Sequence, residues 1–283
     1  MIATLMQVLV HLDSTPATGL RLQAAREVAG LHGAALAAMY AVSSTLAAGA
    51  YGYDVTGAVA KTMADIDASR RAATRAAFDH ALKEQPGPTP TWAETGNLPV
   101  TNSFIGQALY ADLLVLGQPD PATRHEVALP FDFIESVLIG SGKPALIIPY
   151  IGGFKGVGET AVIAWKPTRE SARAVAAAIP LLQKAASVHV LNWGGGGGDE
   201  LPVEGSHLSL EGYLRRHGIE AKWHREGGEP AAIGELLLSR VFDLGGDLLV
   251  MGCYGHSRTR ELMMGGASRV VLKSMTVPVL MAH

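Results

Sequence analysis

Apolar positions in this chain come in short blocks separated by longer stretches of mixed character. The blocks MQVLVHL (6–12), DLLVLG (112–117), ALIIP (145–149), TAVIAW (160–165), DLLVMG (247–252) and VLMAH (279–283) are apolar on both faces of any strand they form. Such runs suit parallel strands covered by helices on both sides. Between them, apolar residues fall at helical spacing. After Asp13, Pro16 opens a helix through Leu20, Ala24 and Val28; after Lys166, Thr168 is an N-cap leading into SARAVAAAIPLL. Residues 57–84 read as one long amphipathic helix, whose Arg70, Arg71 and Arg75 form a solvated face, with phosphate contact as the alternative.

The pattern repeats. Asp112–Gly117 matches Asp247–Gly252 at an offset of 135, Pro144 matches Pro278 at 134, and Trp92 matches Trp223 at 131. The opening strands, ending at Asp13 and Lys166, are 153 apart, so the first half carries extra residues between about 43 and 85. Four markers in the same order at near-constant spacing indicate a duplicated domain. The Gly-rich stretch IGGFKGVGE marks the junction, giving expected domains at 1–151 and 159–283. Strand–helix alternation in each half predicts two doubly wound α/β domains, with ligands at the carboxyl ends of the strands where strand order reverses. Asp13 and Gly117 mark that place in the first half, Lys166 and Gly252 in the second.

Composition narrows the function. The chain has 283 residues, 48% hydrophobic and 17% charged, with formal net charge −3. That size allows two domains with sizeable cores, and the charge disfavours a general nucleic-acid binder. The single cysteine, Cys253, excludes an internal disulfide framework and a Cys-rich zinc site, and reads as a small filler rather than a redox sensor. No basic residue precedes the first apolar run, unlike a secretory signal, and no apolar run reaches the roughly 20 residues of a membrane span. A cytoplasmic protein with neither a membrane nor a nucleic-acid partner is the expectation.

The most informative segment is Gly252-Cys-Tyr-Gly255, nine further residues to Gly265, and then Gly266-Ala267-Ser268 opening a helix. Glycines here let the backbone turn and approach a ligand, and amide groups at the helix start present partial positive charge to an anion. The bland alternative is tight turns and close helix–sheet packing. No Walker-type phosphate loop is present, and GGGGG at 194–198 reads as a flexible loop. His11 and His189 sit in strand-like runs and read as structural. No paired histidines suggest a metal, Ser14 and Ser171 lack a nucleophile setting, and Met263-Met264 read as core or loop surface.

Gly252-xx-Gly255-nine-Gly265, with DLLVMGCYGHSR, GGASRVVL and VPVLMAH around it, resembles the G-2x-G-9x-G signature of the universal stress proteins. The whole chain resembles a tandem member. The resemblance implies two five-stranded parallel sheets of order 3-2-1-4-5, arranged as a pseudo-dimer whose halves often associate through their last strands, with further self-association as a homodimer. It implies a non-catalytic role in the stress response and, for some members, ATP with Mg²⁺. On this chain the implied nucleotide residues are Ala164, Trp165, Lys166, Leu191, Met251, Gly252, Tyr254, Gly255, Gly265, Gly266, Ala267 and Ser268.

Two departures weaken that site. The family's Asp at the end of strand one, which meets adenine, is replaced in the second half by Lys166, which has donors only. Gly266 stands where nucleotide-binding members carry Ser or Thr. The first half keeps Asp13, but of the glycine signature only Gly117 survives; Gln118-Pro119-Asp120 and Leu129-Pro130 replace the rest. A weak nucleotide site in the second half is therefore one expectation. A nucleotide-independent protein working through partner surfaces, or one binding a different small ligand, is the other. No intrinsic metal and no enzyme activity are expected, although a slow ATPase stays open.

Overall fold

The computed structural model describes residues 4–45, 57–84, 87–95, 99–123, 129–152, 156–192, 208–227, 233–253 and 266–283. The chain packs as two compact units. The first comprises Leu5–Lys143 and Ile148–Phe154; the second comprises Met1–Thr4, Pro144–Ile147 and Lys155–His283.

The first unit is built from β1 (Gln7–Leu12), α1 (Thr18–His32), β2 (Ala35–Tyr40), α2 (Gly57–Glu84), β3 (Thr91–Glu94), α3 (Val100–Ala108), β4 (Leu113–Gly117) and α4 (Phe133–Ser141). Its strands run parallel, β1 pairing with β2 and β4, and β2 with β3. Ile148, the last residue of β5 (Ala145–Ile148), completes the order 3-2-1-4-5: its carbonyl accepts from Gln118 N–H at 2.8 Å. Val8, Val10, Leu12, Leu114, Val115 and Leu116 are fully buried, as expected for strands covered on both faces. Helix α1 stops at Gly33, whose left-handed φ of 65° suits a residue without Cβ.

The long helix predicted over 57–84 spans those residues. Its arginines are engaged with protein groups. Arg71 pairs with Glu94 at 2.9 Å and Arg75 with Asp79 at 3.2 Å, and the Arg75 guanidinium lies about 5 Å from the Phe78 and Trp92 rings. Arg70 donates to Thr45 Oγ1 at 3.0 Å. These contacts favour the solvated-face reading over phosphate binding. Arg26, buried on α1, donates to the carbonyl of Ala81 in the last turn of α2 and to that of Pro88 beyond the helix.

The second unit contains β6 (Thr160–Trp165), α5 (Arg169–Leu182), β7 (Ser187–Asn192), α6 (Leu210–Arg216), β8 (Ala221–Arg225), α7 (Ile233–Asp243), β9 (Leu248–Gly252), α8 (Gly266–Ser274) and β10 (Val279–Ala282). Its parallel order is β8-β7-β6-β9-β10, again 3-2-1-4-5. Ala145–Ile147 of β5 belong to this unit and run antiparallel to β10, with Leu146 opposite Leu280. This pairing covers an edge that β10 otherwise leaves open.

The repeated aspartate has the same task in each unit. Asp112 Oδ2 accepts from the N–H groups of Met6 and Gln7, at 2.8 and 3.0 Å. Asp247 accepts from Glu159 and Thr160, at 3.0 and 2.9 Å. Each carboxylate thus ties the entry of the fourth strand to the start of the first.

Candidate functional site

In the first unit the strand order reverses between β1 and β4, where Asp13 leaves β1 and Gly117 ends β4. A buried arginine occupies that place. Arg21, on the second turn of α1, is 3% exposed. Its Nη1 donates to Asp13 Oδ2 at 2.9 Å, and its Nη2 to Asp13 Oδ1 and to Thr18 Oγ1, at 2.5 and 2.6 Å. Thr15 N–H donates to Asp13 Oδ1 at 2.9 Å, and the Thr15 and Thr18 hydroxyls lie 2.5 and 2.9 Å from the same oxygen.

Burial pushes the Asp13 carboxyl up, but the Arg21 charge and hydrogen bonds more than reverse this and hold it well below the usual carboxylate range. The side chain is 3% exposed, so its carboxylate is not presented to a base. Gly117 serves the same arrangement. A Cβ there would sit 2.3 Å from Arg21 Nη1 and 2.8 Å from its Cδ, so the glycine makes room for arginine rather than for a ligand. Pro119 and Pro130 line the same crevice and bring no N–H, while Asp120 adds negative charge. Missing N–H donors and the added negative charge disfavour a phosphate in this crevice.

His11 lines the floor of this crevice. Its Nε2 lies 2.8 Å from the Ala41 carbonyl, and the Phe104 and Phe133 rings pack on it at 5.5 and 4.8 Å. Burial, with the Arg21 charge behind it, lowers its pKa to about 4. The ring is therefore neutral near pH 7 and donates to Ala41.

In the second unit the reversal lies between β6 and β9. Three residues expected in the site fall in one row across the sheet: Ala164 of β6 is paired with Leu191 of β7 and with Met251 of β9. Leu191 and Met251 are buried, Ala164 and Trp165 are half-buried, and Lys166 is exposed just beyond β6. Gly252 lies against the start of α5. A Cβ on it would come within 2.5 Å of Glu170 C and Ser171 N, so close packing alone requires glycine here. Thr168 caps that helix as expected, its Oγ1 accepting from Ser171 N–H at 3.3 Å.

Glu170 is buried in the same turn and bonds to Arg169. Burial raises its pKa, and the Arg169 hydrogen bond and charge outweigh this, so it stays ionised. A negative charge in the turn that packs on Gly252 disfavours a phosphate close to it. Cys253 is buried, with its N–H 3.0 Å and its Sγ 3.4 Å from the Ala282 carbonyl, which suits the filler reading.

Gly266 begins α8, and a Cβ there would meet no described atom within 4 Å. Ala267 and the buried Ser268 follow in the first turn. The helix is set by close packing on α7, where a Cβ on Gly234 would meet Val270 at 2.7 Å and Ala267 Cα at 3.2 Å. Tyr254, Gly255 and Gly265, with His256, Ser257, Arg258, Met263, Met264 and the 194–198 glycines, lie outside the described residues. Among the described residues no group of three or more His, Cys, Asp or Glu is placed to hold a metal ion. No described helix is long and apolar enough to cross a membrane.

Two important residues, Arg21 and Glu170, did not enter the sequence reading as site residues. The signal was present for Arg21. It interrupts the apolar face of α1 beside Leu22 and Ala25, and a buried charge requires a partner. The nearest unpaired carboxylate at a strand end was Asp13.

No protein-family model matches this sequence, and no curated protein matches it. Solved structures do. A universal stress protein from Archaeoglobus fulgidus DSM 4304 aligns over 98% of this chain and 95% of its own, with TM-score 0.66 and 13% identity. A functionally unknown protein from Pseudomonas aeruginosa PAO1 aligns over 98% and 92%, with TM-score 0.58 and 15% identity. The fold of this chain, in both units, is that seen in universal stress protein structures.

Proposed function

We propose that this chain is a tandem universal stress protein: a cytoplasmic, non-catalytic component of the stress response, with a weak site for ATP or a related nucleotide in the second unit. The observation that carries this reading is the full-length likeness to a universal stress protein structure, covering nearly all of both chains. The repeated strand order and the Gly252–Gly265 spacing support it.

Described residues fit a phosphate in part. Gly266, at the start of α8, has no described atom within 4 Å of its Cβ position, and Ala267 and Ser268 follow it, so their N–H groups are the donors for a phosphate. Gly255 and Gly265 complete the proposed set. A protein partner or a second copy of the chain distinguishes the nucleotide-bound form from the free one. Mg²⁺ enters with the nucleotide. Lys166, exposed beside Trp165, has no acceptor for the adenine amino group, so the proposed affinity is low.

Thermal unfolding with and without millimolar ATP and Mg²⁺ tests this, with Gly265→Asp as control. Ligand at about 100 times its dissociation constant adds roughly 2.7 kcal/mol, which raises the midpoint by several degrees. A shift that the control loses supports the reading, and no shift at millimolar ATP removes it. A second reading is then favoured: a nucleotide-independent protein working through partner surfaces. Gly252 supports that alternative, because α5 packing accounts for it without a ligand.

A further inference from the structure

The two units repeat one edge strand and finish it differently. Trp92 of β3 and Trp223 of β8 hold the same place in the duplication, and each lies on the last strand at one end of its unit's sheet. In the first unit the chain itself completes that edge. Phe78 of α2 packs edge-on against Trp92 at 5.1 Å, Trp92 Nε1 donates to Glu94 at 2.8 Å, and Glu94 pairs with Arg71. In the second unit Trp223 is 42% exposed, and Arg225 stands where β3 has Glu94. Arg225 and Lys222 are both exposed, and no described carboxylate lies within ion-pair distance of either. The adjacent Glu226 is turned to Arg240 instead, at 2.8 Å.

The backbone of β8 is open along the same edge. Glu226 N–H donates to the Asn192 carbonyl beyond the end of the β7–β8 ladder, at 3.0 Å. By the alternation of a parallel ladder, Lys222 and His224 also turn their N–H and C=O groups to β7, while Trp223 and Arg225 turn theirs outward. Among the described residues nothing pairs with those outward groups, and such a row is a template for another strand. Charge selects the occupant. A second copy of the chain brings the same Lys222 and Arg225 and is disfavoured, whereas a strand with carboxylates answers both cations and is held in register by them. An apolar residue between those carboxylates covers Trp223. We propose that β8 docks an extended acidic segment of a partner protein by strand addition, the segment's backbone pairing with Trp223 and Arg225 and its carboxylates meeting Arg225 and Lys222. The proposal does not depend on a nucleotide site.

Amide hydrogen exchange of the full chain, resolved by nuclear magnetic resonance, tests this. The probe is the acetylated peptide Glu-Glu-Val-Val-Glu-Glu, which shows acid, apolar, acid on each face of a strand. The expected result is saturable binding that slows exchange at Trp223 and Arg225, whose N–H groups are open, and leaves Lys222 and His224, already bonded to β7, unchanged. Arg225→Glu, at an exposed position, should weaken the peptide about tenfold or more, and Lys222→Gln severalfold. A peptide with lysine for every glutamate should bind at least about tenfold more weakly, and methylating every peptide N–H should abolish binding. Equal binding of the lysine peptide, undiminished binding of the methylated one, unchanged exchange at Trp223 and Arg225, or no binding at millimolar peptide overturns the proposal. So does slowed exchange at those two residues on concentrating the chain alone, which would assign the edge to a second copy. Tighter binding there of a single-stranded oligothymidylate would assign it to nucleic acid, and overturns it as well. Failure of ATP to bind bears only on the nucleotide reading.

Discussion

The Arg21 guanidinium lies across the backbone of Gly117, so close that a Cβ on Gly117 would come within 2.3 Å of Nη1, and from there it grips Asp13 with two parallel hydrogen bonds. The aspartate and the glycine that a nucleotide site would use are thus both committed to one buried ion pair. Removing one partner strands the other charge, whereas replacing both need not. Arg21→Met is expected to cost about 3–5 kcal/mol in urea unfolding. Arg21→Met with Asp13→Asn together should cost clearly less than the sum of the single changes. Additive costs would show that the pair is not coupled.

The glycines Gly252 and Gly266 look alike in sequence and differ in surroundings. Gly252→Ala drives a Cβ into backbone atoms of Glu170 and Ser171, at 2.5 Å from each. Backbone cannot swing aside as a side-chain tip can, so overpacking of about 1–3 kcal/mol or more is expected. Gly266→Ala meets no described atom within 4 Å and should stay within about 0.5 kcal/mol of the parent. Chemical denaturation of both variants checks the contrast. If Gly266→Ala keeps full stability but loses an ATP-induced thermal shift, Gly266 serves a ligand.

Asp112 and Asp247 offer a test of the duplication itself. Each accepts two N–H groups at the start of its unit's first strand. Removing either carboxylate leaves two donors to water or to nothing. Asp112→Ala and Asp247→Ala are each expected to cost about 1–2 kcal/mol, and to agree with each other more closely than with a random surface change. Unequal costs, one near zero, would mean that the repeated motif persists for different reasons in the two units.

Much of the fold was readable because its signals are local. Apolar blocks such as Leu113–Leu116 and Leu248–Met251 announce buried parallel strands, and Thr168 announces a helix start. The offset of 135 between Asp112 and Asp247 carried the duplication. The register of pairings set by tertiary packing was not readable. The antiparallel contact of Leu146 with Leu280 joins strands 134 residues apart; the family resemblance implied pairing of last strands, but no residue in either strand sets its register. The site was legible in kind but not in use. Gly117 and Gly252 stood out as glycines at strand ends, yet what crowds each one, a side chain in one case and a helix backbone in the other, appears only in three dimensions.

Acid should destabilise the protein before its carboxylates titrate. His11 has its folded pKa lowered from the ordinary value of 6.5 to about 4, by burial first and then by the charge of Arg21, while the Asp13 charge and the Ala41 hydrogen bond pull the other way. His189 in the second unit is also lowered, by burial first, then by His224, whose Nε2 lies 2.9 Å from His189 Nδ1, and by Lys222. In both cases the unfolded chain binds the proton more readily than the folded one. Stability from these groups is therefore complete above about pH 6.5 and falls as pH drops toward the folded values. The fall at His11 from 6.5 to about 4 corresponds to about 3 kcal/mol lost by pH 4. Asp13 is displaced in the same direction, but its contribution is lost only below its unfolded value near 3.8, so it does not account for a decline between pH 6.5 and 4. Urea midpoints measured at half-unit steps from pH 7.5 to 4 should decline through this window. His11→Gln, which keeps a donor for Ala41 without a titrating ring, should flatten the decline even if it lowers stability at pH 7. An undiminished slope in that variant would move the origin of the acid sensitivity away from the crevice.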